Sequence, residues 1–238
     1  MNMKISPDNI ELACPETEIY HRLLSLDGKH ILELGCGSAV ITRDIAETGE
    51  NRRVTALEVD EIAHANNLQI TDLPNVEFML AGAEDIPLGD ETVDIAFMFK
   101  SLHHVPVDLM GQAMHEIRRV LKPGGQLYVS EPVFAGDFNE ILRLFHDESA
   151  VREAAFATLQ EAVEGGLFGL VEELFFLSPM VFESFEDFEN RVIKVTHTHH
   201  ELADDLYACV KQKFMEQADE NGVRRFDMPM RVDLLAKS

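Results

Sequence analysis

Cations are scarce in this chain. Its 238 residues hold 20 Lys and Arg against 43 Asp and Glu, a formal net charge of −23. Nucleic-acid phosphates call for clustered cations, so the balance argues against DNA or RNA as a partner. It argues equally against an anionic membrane surface. The acidity itself reads as solubility. No run of 18 apolar residues occurs, so no transmembrane helix is expected. The opening Met1-Asn2-Met3-Lys4-Ile5-Ser6-Pro7 lacks the apolar core of a signal peptide. The three cysteines, Cys14, Cys36 and Cys209, are odd in number, scattered and without a CxxC pair. They point to no disulfide framework and to a reducing, cytoplasmic setting. There is no internal repeat, low-complexity tract or Gly/Ser/Pro linker, so nothing divides the chain into separate domains.

What is present is ordinary for a globular α/β protein. Apolar residues make up 46% and charged residues 26%. A chain of this length buries roughly 70–75% of its unfolded surface and needs no metal or disulfide staple. Glu16, Glu18 and an apolar stripe through Leu26 predict a first helix. Short apolar runs then alternate with helical patterns. Strands are predicted at His30–Leu34, Val54–Val59, Val76–Leu80, Val93–Phe99 and from Gln126. Helices are predicted from Val40, over Ile62–Ile70 and over Leu109–Leu121. Near-continuous apolar strands separated by helices are the pattern of a parallel sheet covered on both faces. Beyond Pro132 the rhythm changes. Phe138–Glu164 reads as one helix, Leu170–Leu177 as a strand, the stretches near Phe185–Val195 and Glu201–Ala218 as helices, and Met228–Ala236 as a last strand returning hairpin-like.

The sharpest local signal is Glu33-Leu34-Gly35-Cys36-Gly37-Ser38-Ala39. Small residues after a strand let the backbone turn tightly and approach a ligand, and the helix that follows offers free N–H groups. The next strand ends in Glu58, an acid placed to accept hydrogen bonds from a ribose diol. Strand, glycine turn, helix, strand and acid in that order are far more telling than either feature alone. A dinucleotide fingerprint would need a third glycine where Val40 stands, so a nicotinamide-dependent oxidoreductase is the weaker alternative.

These residues resemble the first motif of class I S-adenosylmethionine-dependent methyltransferases. The resemblance continues in order through Ala56-Leu57-Glu58-Val59-Asp60, Ala81-Gly82-Ala83-Glu84-Asp85-Ile86-Pro87, Val93-Asp94 with Leu102-His103-His104-Val105, and Leu121-Lys122-Pro123-Gly124-Gly125. The stretch Met230–Lys237 resembles the family's terminal antiparallel strand. The resemblance implies a Rossmann-like, doubly wound sheet of seven strands, mostly parallel with an antiparallel last strand, and a helical insertion acting as a lid. It implies S-adenosylmethionine as cofactor and S-adenosylhomocysteine as product. Glu33 would orient the methionine amino group, with the backbone of Gly35, Cys36 and Gly37 against the cofactor. Glu58 would hold the ribose hydroxyls and Val59 would pack on the adenine. Ala83 and Glu84 would meet the adenine edge, and the backbone at Lys100 and Ser101 would border the methionine portion. Two positions depart from the pattern. Ala39 stands where a third glycine is frequent. Gly82 stands where an Asp often accepts from the adenine amino group, so Glu84 or Asp85 takes that contact or it is absent.

A single domain over 1–238 follows, with an N-terminal lid segment (1–15), a cofactor-binding core (16–133), a helical lid and acceptor region with the sixth strand (134–226) and the last strand (227–238). Methyl transfer from a sulfonium mainly needs alignment and exclusion of water. A base is needed only if the acceptor loses a proton. His103 and His104 lie just past the fourth strand, and His104 is the candidate. Lys100 would pair with an acid or meet a substrate carboxylate. His197, His199 and His200 lack metal-ligand spacing and read as a polar junction, so no metal is expected. Cys36 reads as buried rather than nucleophilic. The phenylalanines between Phe134 and Phe188 read mostly as core, with some lining a pocket for a small acceptor. The expectation is a cytoplasmic methyltransferase acting on a small molecule. A non-catalytic binder of S-adenosylmethionine or S-adenosylhomocysteine is the alternative, because this chemistry leaves no obligatory catalytic signature.

Overall fold

The computed structural model describes residues 3–195, 198 and 200–237. Seven strands form one sheet in the order β3-β2-β1-β4-β5-β7-β6. They are β1 (His30–Leu34), β2 (Arg53–Glu58), β3 (Val76–Leu80), β4 (Val93–Phe99), β5 (Leu121–Pro132), β6 (Gly169–Phe182) and β7 (Arg224–Ala236). The first five pair in parallel, and β7 runs antiparallel between β5 and β6. Chain order reverses between β1 and β4, which opens a crevice at their carboxyl ends, where such sheets bind ligands.

Alternating side chains feed two cores. Leu32, Leu34, Ala96, Met98, Leu127 and Val129 face one side. There they meet α4 (Met110–Val120) through Met114 and Ile117, and α6 (Ser149–Glu164) through Ala155 and Leu159. Ile31, Val54, Ile95, Phe97, Phe99 and Tyr128 face the other side. They pack on Ile19 and Tyr20 of α1 (Glu16–Leu23) and Ile45 of α2 (Val40–Glu47). The period of two thus serves both faces, as the continuous apolar strands predicted.

Strands β6 and β7 overshoot the rest of the sheet. Their register continues from Leu177↔Pro229 to Phe182↔Arg224, past the last β5 pair at Pro132↔Met230. This arm carries a third, aromatic core of Phe182, Phe185, Phe188, Phe214 and Phe226. The late phenylalanines therefore fill a core of their own, with α5 (Asp137–Leu142), α7 (Phe185–Phe188) and α8 (Asp204–Met215) around it. Phe168 and Phe176 belong instead to the two main cores.

Several boundaries differ from the sequence reading. The single helix predicted over Phe138–Glu164 is two, α5 and α6, split where Asp147 accepts from the Ser149 N–H at 2.9 Å and restarts the chain. The helix near Phe185–Val195 is one α-turn followed by a π-turn over Glu189–Ile193. Strand β6 runs five residues past Leu177 and β7 begins four before Met228, because each supplies the other's ladder. Residues 12–14 join the outer edge of β6 through Leu177 N–H to Leu12 O and Cys14 N–H to Leu177 O. The N-terminal segment thereby covers an exposed sheet edge. Among the described residues no helix is long and apolar enough to cross a membrane.

Candidate active site

The glycine turn joins β1 to α2. Gly35 has φ +76° and its N–H donates to Leu57 O at 2.9 Å. A Cβ on Gly35 would lie 2.7 Å from Cβ of Ser101, so only glycine lets the turn close against the end of β4. Ser101 Oγ donates to Leu34 O at 2.7 Å and fastens the same junction. Gly37, at φ +53°, has open space where a side chain would stand. Ala39 adopts φ +58° directly before α2. This is the left-handed conformation that favours a third glycine, so the turn geometry is kept at a cost of about 1–2 kcal/mol.

Two carboxylates flank the turn. Glu58 accepts from Gly37 N–H at 2.6 Å and from the N–H groups of Val59 and Asp60 at 2.8 and 2.9 Å. Three backbone donors therefore fix its orientation before any ligand arrives. Glu33 is 2% exposed and accepts from Thr42 Oγ1 at 2.6 Å. Burial pushes its pKa up, the Thr42 hydrogen bond opposes this, and the charge of Glu58 adds to it, leaving Glu33 at about 7. Asn67 in α3 (Glu61–Asn67) donates to Gly37 O at 2.8 Å and braces the turn from behind. Cys36 is buried, and burial with the charges of Glu33 and Glu58 pushes its thiol pKa far up, so it is inert as a nucleophile.

The apolar surroundings are unfilled. Val59 is 65% exposed, and Val40, Ile62 and Leu80 at the neighbouring element ends are likewise exposed. Ala83 is buried beneath the following loop. A Cβ on Gly82 would collide with the carboxylate of Glu84, so Glu84 has folded back into the space an Asp at 82 would use. Lys100 holds a strained φ of +54°, and its N–H donates to Ser130 O at 2.7 Å. Its ammonium lies 3.4 Å from Glu16 Oε2, so of its two expected partners the structure supplies the acid.

The histidine pair splits into two unlike residues. His104 is exposed at the mouth. His103 is 5% exposed, with Nδ1 on Glu131 and Nε2 3.7 Å from Glu148 Oε1. Burial pulls its pKa down, but the charge of Glu131 and hydrogen bonds to Glu131 and Glu148 outweigh burial and raise it to about 9. His103 is therefore a cation at neutral pH and cannot serve as a base there. Glu131 also accepts from Leu102 N–H at 2.9 Å, which shapes the turn after β4. His200 packs its ring against Phe145 and His146, while His197 and His199 lie outside the described residues.

Sequence reasoning missed Glu131, Glu148, Arg152 and the Arg231–Asp233 pair. Four of them are buried, and the Arg152 side chain is 9% exposed. The available signal was Arg231 and Asp233 two apart in an otherwise apolar strand, hence on one face. That face also carries Glu131, which pairs with Arg231 across β5 and β7.

Comparison with known proteins agrees with this geometry. A methyltransferase-domain family matches residues 32–129. An O-methyltransferase of Aspergillus nomiae is 34% identical over 148 residues, covering 59% of this chain and 64% of its own length. A sterol 4-C-methyltransferase of Caenorhabditis elegans is 29% identical over 126 residues, covering 51% of this chain and 36% of its own. The chain thus spans less than two thirds of these curated relatives. A SAM-dependent methyltransferase structure from Methanosarcina mazei superposes with a TM-score of 0.58 at 18% identity, covering 95% of this chain and 99% of that one. The [4+2]-cyclase SpnF superposes at 0.60 with 20% identity, covering 93% and 79%. These two likenesses concern the fold. Over residues 32–129 the chain is thus similar to methyltransferase domains.

The residues present suit that family's cofactor. A buried carboxylate with a raised pKa needs a cationic partner, and an ammonium supplies one. A pre-oriented carboxylate suits a diol. Exposed Val59 suits an aromatic face, and the space at Gly37 admits a ligand against the backbone.

Proposed function

We propose that this chain transfers a methyl group from S-adenosylmethionine to a small-molecule acceptor in the cytoplasm. The observation that carries the reading is the pair of buried carboxylates, Glu33 and Glu58, on either side of an open glycine turn at the sheet's switch point. The bound sulfonium supplies an already activated methyl group, displaced in line by the acceptor's nucleophilic atom. Glu33 holds the amino group and Glu58 the ribose hydroxyls. The backbone of Gly35, Cys36 and Gly37 lies along the ligand, and the backbone at Lys100 and Ser101 borders its methionine end. Val59 and Ala83 enclose the adenine. His104, the exposed member of the histidine pair, receives a proton where the acceptor has one to lose. Helix α6 packs against the turn after β4, where Glu148 at its N-cap meets His103. The acidic surface and the relatives' names favour a small acceptor over nucleic acid.

Calorimetric titration with S-adenosylhomocysteine, with NAD as comparison, tests the cofactor. Binding of the former alone is expected; binding of NAD alone would overturn the reading. Turnover in a subsequent acceptor screen separates an enzyme from a non-catalytic binder.

Two further outcomes are expected. Affinity for S-adenosylhomocysteine falls as pH drops through about 7. The ligand's ammonium binds only the ionised form of Glu33, whereas protonation there removes the attraction and leaves a neutral acid. A titration series across this range that shows constant affinity would remove Glu33 from the site. At the adenine edge, Glu84→Ala should weaken binding by about 1–3 kcal/mol, the scale of an unmade hydrogen bond. Adding Gly82→Asp to that variant restores the carboxylate to the same space and should recover most of the loss. Loss of affinity in Asp85→Ala instead would assign the contact to the neighbouring acid.

A further inference from the structure

The turn after β4 holds a second constellation that methyl transfer does not require. His103, His104 and Glu148 each offer one ligand atom, and these atoms lie within 4.8 Å of one another. His103 Nε2 stands 3.7 Å from Glu148 Oε1, and His146 Nε2 approaches the same oxygen to 3.0 Å. Two imidazoles thus converge on one carboxylate oxygen from different elements. We propose that His103, His104 and Glu148 form a binding site for a divalent transition-metal ion, with His146 at its edge.

The chemistry of the donors selects the ion. Two imidazoles and one carboxylate suit zinc, cobalt, nickel or ferrous iron, whereas magnesium and calcium prefer all-oxygen sets. Behind the ligands, Glu131 binds His103 Nδ1. A carboxylate there holds the Nδ1 proton and turns Nε2 toward the ion, which displaces the Nε2 proton that His103 otherwise carries, the usual support of a metal-bound histidine. Arg152 grips the other oxygen of Glu148 and orients it. Ligands at about 2.0–2.1 Å on a tetrahedral ion sit roughly 3.4 Å apart. The His103–Glu148 distance is already near that value, and the remaining contraction falls on His104, the exposed member of the set. Three protein ligands leave at least one position exchangeable, and it opens toward solvent past His104. Adjacent histidines lack the spacing of familiar metal motifs, and the carboxylate comes from the start of α6, which explains why the sequence suggested no metal. An ion here would occupy the lone pair by which His104 accepts the acceptor's proton in the reading above. The two uses exclude one another.

The test is titration of metal-free, untagged full-length protein with Co2+ near neutral pH, read by visible absorption. Binding of one equivalent with an intense tetrahedral d–d band is expected. The band should disappear in both His104→Ala and Glu148→Gln and survive in His115→Ala, which removes an exposed histidine elsewhere. In Glu131→Gln the affinity should fall about 10- to 100-fold, as for loss of a histidine's supporting carboxylate. No band in the parent protein, or a band that persists in His104→Ala and Glu148→Gln, overturns the site. His104→Ala changes an exposed side chain, so its folding is secure and its result decisive. The readout needs neither cofactor nor acceptor, so its failure leaves the methyltransferase reading intact.

Discussion

Glu58→Ala is expected to lose about 1.5–3 kcal/mol of binding free energy for S-adenosylhomocysteine, roughly a 10- to 150-fold weaker dissociation constant, on the scale of hydrogen bonds to a charged group. The carboxylate works twice. It offers its remaining lone pairs to a diol, and it gathers the N–H groups of Gly37, Val59 and Asp60 into one fixed turn. Removing it frees the loop whose backbone lies against the ligand, so affinity suffers from lost contact and lost order together. A second consequence separates Glu58 from a general loosening. Its charge helps to keep the Glu33 pKa high. Without it, the pH midpoint below which affinity declines should move down from about 7. Calorimetry across pH on both proteins reads both effects. A folded variant with unchanged affinity would place the ribose elsewhere, and weakened binding with an unmoved midpoint would separate Glu33 from Glu58.

The parts legible in the sequence are those governed by local rules. The βαβ alternation to residue 133 could be read because buried parallel strands are almost wholly apolar and end in short polar or glycine-containing breaks. The glycine turn and the position of Glu58 beside it could be read because turn geometry depends on backbone shape and position along the chain. Glu84 was left open against Asp85, since choosing between them requires knowing that the Glu84 carboxylate turns back over Gly82. The late region was less legible for a physical reason. The β6–β7 arm and its aromatic core form by pairing residues as far apart as Phe182 and Arg224, and no local window contains that ladder. The histidine pair shows the same limit. Sequence could place both rings at the mouth, but only tertiary packing of α6 and β5 makes His103 a buried cation and leaves His104 outside.

That packing leads to the largest expected effect on stability. Three cations and three anions balance beneath α6: His103, Arg152 and Arg231 against Glu131, Glu148 and Asp233. All but Arg152, whose side chain is 9% exposed, are buried. Glu131 sits among them, bonded to His103 Nδ1 and to Leu102 N–H, and faces Arg231 across the ladder. Glu131→Ala removes one charge and leaves its partners without compensation in a site closed to water. Breaking a buried pair from one side costs about 3–5 kcal/mol, so a large drop in the urea midpoint is expected. Glu131→Gln keeps an acceptor for Leu102 and should lose less. The pH dependence carries the sign of the effect. The His103 pKa is raised to about 9, so its contribution is complete below its unfolded value and is lost as pH rises through 9. The Glu131 pKa is lowered despite burial, chiefly by the charge of His103, so its contribution is present above the ordinary carboxylate range and is lost in acid. The pair therefore stabilises most fully between those limits. Parent stability should decline from neutrality toward pH 9 and beyond, and this alkaline decline should flatten in Glu131→Gln. If the two proteins show parallel profiles, His103 is not the buried cation that couples α6 to the mouth of the site.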